Sequence, residues 1–300
     1  MEKRNHSIGF VGAGRVGRAL ALRLNQVGYR VVLVMDCHIE AARRLGKQLP
    51  NSYVTSQIED WPLLDVLLLT VPDDEIPTVA QHLCESTVDL TNTMVAHTSG
   101  ATTSQVLMPL KAKGATVASL HPIQTFSGLE DEADKIPGTY FGIEGEEKAV
   151  TILKEIVGCM EGIPLVISPE TKPLYHAACV FASNYVVVLM TLAGELLKKI
   201  STDLQEPGRI LLPLLRGAVD NIHRQEPDKA LTGPILRGDV RTIQAHLQAL
   251  GQESPFLVEI YRELGLQALR ISERLHPELQ TKYQQLREML QVPDCEKAQQ

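Results

Sequence analysis

The stretch SIGFVGAGRVGRALALRLNQVGYRVVLVMD, residues 7–36, decides the fold. Its first six residues form an apolar run typical of a buried strand, and RVGRALALRLNQVG has the apolar spacing of a helix that stops at Gly28. Gly12, Gly14 and Gly17 make a G-x-G-x-x-G spacing between strand and helix, and a second strand ends in Asp36. In this order of elements the glycine spacing indicates a dinucleotide-binding turn.

The three glycines have different predicted tasks. Gly12 permits the tight turn, Gly14 lets the backbone approach a pyrophosphate, and Gly17 lets the helix pack closely on the strand. The helix N-terminus adds amide donors and the positive end of a dipole. We therefore expect cofactor contacts from the turn, from the acid, and from the end of the later apolar run LDVLLLTVP: Gly12, Ala13, Gly14, Arg15, Val16, Gly17, Asp36, Val71 and Pro72.

Asp36 predicts which nicotinamide cofactor binds. It follows the glycines by about twenty residues, where a carboxylate accepts hydrogen bonds from the ribose 2′-hydroxyl and repels a 2′-phosphate. The predicted cofactor is therefore NAD or NADP, with NAD favoured. Arg43 and Arg44 on the next predicted helix would weaken this preference if they reached a phosphate; the alternative is that they form a solvated face.

Strands and helices alternate up to Ser168, and only helices are predicted after it. Several predicted strands are continuous apolar runs, which indicates a parallel sheet covered on both faces. We predict an α/β Rossmann domain over residues 1–168, with a doubly wound and mostly parallel sheet. An all-α domain over residues 169–300 is predicted to serve substrate binding and dimerisation.

The composition limits the class of partner. The chain has 300 residues, of which 44% are apolar and 22% charged, and a net charge of −7. It has no basic stripe, so we expect a small-molecule partner and no nucleic acid. The five cysteines form no C-x-x-C pair, which argues against disulfides and a zinc site, and no metal is predicted. Together with the lack of a signal peptide, this predicts a cytoplasmic protein.

One apolar segment, AACVFASNYVVVLMTLAGELL at residues 177–197, is long enough to span a bilayer. It contains Ser183 and Asn184, and no second segment of this kind occurs. We therefore expect no membrane span but a buried helix of a soluble protein. Because the segment is too apolar all round for a surface helix, we predict a homodimer that buries it.

Polar residues follow the apolar strands at the edge where ligands of a doubly wound sheet bind. Val71-Pro72-Asp73 follows one strand, His97-Thr98-Ser99-Gly100 the next, and His121-Pro122 the run ATVASL. Pro122 prevents the strand from continuing. We predict His121 as the catalytic acid or base, since an ordinary histidine pKa is about 6.5. His97 and Ser99 are further catalytic candidates; the alternative is that each histidine is structural and bonds a loop carbonyl.

A polar stripe lies on the long apolar helix predicted from Glu170 to Ile200. At 100° per residue its members fall within about 80° of one another: Lys172, His176, Ser183 and Asn184. Such a stripe needs polar partners, either in neighbouring loops or in the substrate cleft. We predict that His176 is catalytic and that Lys172 and Asn184 bind substrate. In the loop ALTGPILRGD, Thr232 and Arg237 are predicted to bind substrate, the arginine by clamping a carboxylate; the alternative is a connecting loop with Asp239 as helix cap.

Six motifs in this order, GFVGAGRVG, LLLTVPDDEI, HTSGA, SLHPIQTFSG, YHAACVFASN and ALTGPILRGD, carry a family resemblance over nearly the whole chain. The chain resembles Rossmann-like proteins with a C-terminal helical domain of unknown function, which are labelled NADP-linked oxidoreductases. The resemblance implies a fold similar to the 6-phosphogluconate dehydrogenase superfamily, with ketopantoate reductase and pyrroline-5-carboxylate reductase as distant relatives. Those relatives are commonly dimers built on the helical domain.

The resemblance carries over to catalytic residues only in part. Beta-hydroxyacid dehydrogenases have a lysine one helical turn before an asparagine; aligning that asparagine with Asn184 places Val180 at the lysine position. The usual proton donor of that family is therefore absent. The His-Pro pair is more similar to the catalytic His-Pro of prephenate dehydrogenase, and the match falls on His121.

These features predict hydride transfer between a nicotinamide and a small substrate that carries a carboxylate. His121 would be the acid or base, and Asn184 and Arg237 would help to bind substrate. The alternative is a sensor or scaffold protein that binds NAD(P) without catalysis, and the missing lysine favours it.

Overall fold

The computed structural model describes residues 6–59, 61–128, 132–200 and 204–291. Its strands are β1 (Ser7–Val11), β2 (Arg30–Met35), β3 (Tyr53–Thr55), β4 (Val66–Leu69), β5 (Met94–His97), β6 (Thr116–Pro122), β7 (Tyr140–Gly145) and β8 (Ile163–Val166). They form one sheet in the order β3-β2-β1-β4-β5-β6-β7-β8. Every neighbouring pair is parallel except β6 and β7. The predicted mostly parallel sheet is therefore confirmed.

Helices cover both faces of this sheet: α1 (Arg15–Gln26), α2 (Ile39–Gly46), α3 (Ile76–Glu85) and α4 (Glu147–Cys159). Successive strand residues point to opposite faces. Phe10 therefore packs into one apolar cluster, with α1 and α4, whereas Val11 packs into another, with α3. Burial on both sides explains why the strands read as unbroken apolar runs, and the predicted doubly wound domain is confirmed.

β6 continues further than the apolar run ATVASL indicates. In its antiparallel ladder with β7, His121 pairs with Gly142 and Pro122 with Phe141. Pro122 is thus the last residue of the strand and not the first residue beyond it. His121 is consequently held by the sheet itself and not by a loop.

The C-terminal part is helical, as predicted: α5 (Lys172–Ala182), α6 (Asn184–Ile200), α7 (Pro207–Ile210), α8 (Leu212–Arg224), α9 (Val240–Glu253), α10 (Pro255–Leu275) and α11 (Gln280–Leu290). The prediction of one long helix is wrong at Ser183, where φ of −126° and ψ of −71° interrupt it. Asp239 occupies the N-cap position of α9, but its side chain makes no capping hydrogen bond. α9, α10 and α11 share a small core around Ile243, Leu269 and Tyr283.

The chain divides into two compact units, Met1–Val188 and Leu189–Gln300. The change from strands to helices falls near Ser168, but the first unit continues through α5. The reason is that Lys172 and Tyr175 of α5 bond to residues of β6 and β7. The domain limits 1–168 and 169–300 stay a prediction.

The apolar segment of α5 and α6 is mostly exposed in the single chain, so the expected burial is not provided by the chain itself. The exposed fraction is 68% for Phe181 and 66% for Val187. By length and composition alone, the helical stretch Pro169–Ile200 is the one segment among the described residues that could cross a membrane. The predicted absence of a membrane span stays a prediction.

The cysteines of the described residues are all free: Cys37, Cys84, Cys159 and Cys179. The fifth, Cys295, lies outside the described residues.

Candidate active site

The glycine turn between β1 and α1 packs against Thr70, which follows β4. The Thr70 hydroxyl lies 2.6 Å from the carbonyl oxygen of Gly12 and 3.2 Å from that of Val11. Gly12 has a φ of +103°, and a Cβ there would lie 2.7 Å from the Thr70 carbonyl group. A Cβ on Gly17 would overlap the Gly12 carbonyl oxygen. Both positions therefore require glycine.

Gly14 differs because the space in front of it is open. No atom lies within 4 Å of a Cβ built on Gly14, which is the N-cap of α1 and receives no side-chain cap. The first amides of α1 have no intrahelical acceptor, so they face a space where an anion fits. The turn therefore fits a dinucleotide pyrophosphate. The other predicted contacts adjoin it in the chain or follow β4: Ala13, Arg15, Val16, Val71 and Pro72.

The carboxylate of Asp36 follows β2 and joins two loops. Oδ2 accepts the Ala13 N–H at 2.7 Å, and Oδ1 accepts the His38 N–H at 2.8 Å. Oδ2 keeps a lone pair for a ribose hydroxyl, whereas Oδ1 also has the Cys37 thiol at 3.8 Å. Arg43 bonds to Glu40 at 2.6 Å on an exposed face of α2, as the solvated alternative predicts.

His121 meets α5 and the loop after β5. Its Nδ1 lies 2.7 Å from the Tyr175 hydroxyl, and its ring centroid lies 5.8 Å from that of His176, edge to face. A Cβ on Gly100 would lie 2.8 Å from His121 Nε2 and 2.5 Å from His176 Cδ2. The two imidazoles therefore lie against Gly100, where any side chain would overlap them.

Burial lowers the pKa of His121 from 6.5 to about 4. The charges of His176 and Lys172 contribute to this lowering, whereas the charge of Asp73 opposes it. His121 is thus neutral at neutral pH, and its pKa differs from the ordinary value of about 6.5 on which its predicted role was based. Burial raises the pKa of Tyr175, so its hydroxyl keeps a proton to donate to Nδ1. This arrangement favours the tautomer with the imidazole proton on Nε2.

His97 and Ser99 organise the loop after β5. The fully buried His97 accepts the Ser99 N–H at Nδ1 (3.2 Å), and its Nε2 has no hydrogen bond of good geometry among the described residues. Burial and then Lys172 lower its pKa to about 4, although the Thr103 backbone raises it. Ser99 donates to Asp73 Oδ2 at 2.5 Å. The hydrogen bond of good geometry at His97 is therefore to a loop amide and not to the loop carbonyl of the structural alternative, and catalytic roles for both residues stay predictions.

A cavity of about 430 Å³ opens beside His121 within the first unit. Its polar lining comes from the end of β6, the loop after β6, α5, and the junction of α5 with α6: His121, Gln124, Thr125, His176, Cys179, Ser183 and Asn184. Three members of the predicted polar stripe therefore line one cavity. Val180, at the position of the missing lysine, lines it too.

Lys172 is the member of the stripe that does not line this cavity. Its side chain is fully buried, and its ammonium donates to Ser119 Oγ at 2.5 Å and to Glu144 Oε1 at 3.2 Å. Direct substrate binding by Lys172 is therefore not supported. The reason is that α5 begins with its first side chain directed into the sheet, where a buried carboxylate receives it.

Thr232 and Arg237 lie in the second unit, between α8 and α9. Thr232 is exposed, and Arg237 bonds to Asp239 with N–O distances of 2.9 and 3.0 Å. This contact occupies the guanidinium that was expected to clamp a carboxylate. Substrate binding by these two residues stays a prediction.

Three side chains of this region had not been predicted as part of the site: Tyr175, Cys179 and Glu144. Asp73 was placed at this edge of the sheet but had no predicted role, and it accepts the hydrogen bond of Ser99. Helical spacing indicates that Tyr175 shares a face with Lys172, because it follows that residue by one helical turn and precedes His176. No local sequence pattern indicates a role for Glu144, because its partners come from distant parts of the chain.

Comparison with known proteins agrees with this arrangement. Residues 1–122 match the Rossmann-like domain, and residues 139–268 match the domain of unknown function DUF2520. The fold and the glycine turn thus define a protein of the Rossmann type. The chain thus combines a Rossmann-like domain with a DUF2520 domain, which confirms the resemblance predicted from the motifs. No curated protein matches the chain in sequence.

Solved structures are similar over most of the chain. Protein TM1727 from Thermotoga maritima is 28% identical with a TM-score of 0.73, covering 90% of this chain and 99% of that one. The candidate NADP oxidoreductase BF3122 from Bacteroides fragilis is 27% identical with a TM-score of 0.71, covering 88% and 97%. An imine reductase from Myxococcus stipitatus in complex with NADP+ shares the fold at 17% identity and a TM-score of 0.57, covering 90% and 94%.

A pair of alanine substitutions separates the tasks of the glycines. Gly14→Ala should keep the melting temperature but weaken NADH binding about tenfold or more, because its Cβ enters the open space of the anion. Gly17→Ala should lower the free energy of unfolding by about 1–3 kcal/mol, because its Cβ overlaps backbone. Calorimetric titration measures the NADH affinity, and thermal unfolding measures the stability. Unchanged NADH affinity in Gly14→Ala would contradict the assignment.

Proposed function

We propose that the protein is an NAD(P)-dependent oxidoreductase that transfers hydride between nicotinamide and a small substrate in the cavity beside His121. The observation that carries the proposal is the position of this cavity. β1, β4, β5 and β6 are successive parallel neighbours, so the glycine turn and His121 lie at the same edge of one sheet. Family likeness to BF3122, described as a candidate NADP oxidoreductase, supports the same class.

The cofactor would supply or accept the hydride, and the chain supplies the polar groups around the reacting atoms. With Nδ1 bonded to Tyr175, His121 presents Nε2–H as a neutral hydrogen-bond donor to a carbonyl or imine. A neutral imidazole can stabilise charge that develops on such an atom. His176, Ser183 and Asn184 supply further polar contacts in the cavity.

We infer a small substrate and, more specifically, one that carries a carboxylate. Among the described residues that line the cavity, none is Lys, Arg, Asp or Glu. A carboxylate in this cavity would be bound by neutral donors such as Ser183 and Asn184.

The second candidate is an NAD(P)-binding sensor or scaffold. Val180 favours it, because it lines the cavity where related dehydrogenases carry a lysine. Turnover of any substrate, followed by nicotinamide absorbance, separates the two. We also infer a cytoplasmic location, from the reduced cysteines expected of the sequence.

NAD is the proposed cofactor in preference to NADP. Asp36 should repel a 2′-phosphate, so NADH should bind more tightly than NADPH, and Asp36→Asn should narrow the difference. Asn retains an acceptor for the Ala13 amide while removing the charge. Fluorescence titration of both cofactors decides; tighter NADPH binding by the unmodified protein removes the argument.

His121→Asn tests the proposed role of the imidazole. Once a substrate is known, turnover should fall about 10²–10⁴-fold with little change in cofactor affinity. His82→Asn, an exposed histidine on α3, is the matched control and should be silent. Because the pKa of His121 is about 4, its neutral form is lost only as pH falls through that value, so kcat should show no histidine limb near 6.5. Normal turnover by His121→Asn would shift the role to His176.

We infer a homodimer that covers the exposed apolar face of α5 and α6. Leu174, Phe181 and Val187 are each more than half exposed, which is an unfavourable surface in water. Phe181→Glu should raise the dimer dissociation constant at least tenfold, whereas Tyr53→Glu on β3 should not. Light scattering across a concentration series measures this; a monomeric unmodified protein at micromolar concentration contradicts the dimer.

A further inference from the structure

A buried ion pair lies beside the candidate site, and the proposed function gives this ion pair no role. The Lys172 ammonium and the Glu144 carboxylate are 3.2 Å apart, and both side chains are fully buried. Glu144 also accepts the Ser104 N–H and hydroxyl, and Lys172 donates to Ser119. A buried pair of this kind is often no more stabilising than apolar side chains of similar volume. Stability alone therefore does not account for it.

Helix α5 covers two cross-strand residue pairs of β6 and β7, and the ion pair forms at one of them. Ser119 of β6 faces Glu144 of β7, and two residues further along β6 His121 faces Gly142. Residues two apart on a strand share a face, and residues three apart on a helix share a face. Lys172 therefore contacts the first cross-strand pair, and Tyr175, three residues later, contacts the second.

The fit at the second pair is close. A Cβ on Gly142 would lie 2.5 Å from the Tyr175 hydroxyl, which itself lies 2.7 Å from His121 Nδ1. A small displacement of the first turn of α5 would break this hydrogen bond. We propose that Lys172 is a positioning residue: its buried ammonium, held by Glu144 and Ser119, anchors α5 so that Tyr175 orients His121 toward the cavity.

The anchor also carries charge close to the imidazole. After burial and His176, Lys172 lowers the pKa of His121, and it lowers that of His97 as well. Asp73 raises the pKa of both histidines, and Glu144 raises that of His97. Loss of the Lys172 charge should therefore raise the pKa of His121. The anchoring of α5 by Lys172 does not depend on catalysis. Only the catalytic value of an oriented His121 rests on the proposed function.

The experiment is an NMR titration of histidine side chains in the full chain without cofactor or substrate. Lys172→Met keeps the length of the side chain and removes its charge, but it leaves a buried carboxylate unpaired. The double variant Lys172→Met/Glu144→Gln removes both charges and carries the test if the single variant does not fold. Lys111→Met, which breaks a half-exposed pair with Glu146, is the matched control. His121→Asn assigns the His121 signals.

In the folded Lys172 variants we expect the pKa of His121 to rise above that of the unmodified protein, because a nearby positive charge is lost. We also expect ring nitrogen shifts that report mixed tautomers, because Tyr175 no longer holds Nδ1. NADH affinity should stay within about twofold, which excludes general damage to the fold. The proposal is overturned if the folded double variant keeps the wild-type His121 pKa and tautomer. Failure of the unmodified protein to bind NADH or to turn over substrate would instead refute the proposed function.

Discussion

The close contact between the glycine turn and Thr70 is the constraint on which the structure depends. Because Gly12 and Gly17 have no Cβ, the backbone of the turn reaches Thr70, whose hydroxyl lies 2.6 Å from the Gly12 carbonyl oxygen. This contact joins β1, α1 and β4 at the carboxyl edge of the sheet. The same packing leaves Gly14 and the first amides of α1 open, so one set of contacts both closes the fold and forms an anion site.

A second set of contacts extends that edge toward β7. The antiparallel ladder of β6 and β7 brings Ser119 beside Glu144 and His121 beside Gly142, and α5 covers both. Burial there keeps His121 neutral, since desolvation disfavours the charged imidazole. The polar groups are thus held by the sheet and a helix, which are stiffer supports than loops.

Much of the fold was predictable because its signals are local. Apolar periodicity located β1, β2, β4, β5 and β6, but it indicated neither β3 nor α3. β3 is only three residues long, and Pro77 within the first turn of α3 obscured a helix that tolerates proline there. The break at Ser183 was also missed, because periodicity continues through it.

The sequence by itself determined the glycine turn, the acid after β2 and the change from alternating elements to helices near Ser168, since each depends on residues close in the chain. It also placed His121 at the sheet edge. Only the tertiary structure decided that Lys172 is an internal partner of Glu144, that Tyr175 bonds His121, and that His121 is neutral. These properties depend on burial and on contacts between residues that are 28 and 54 positions apart, and no local pattern encodes them.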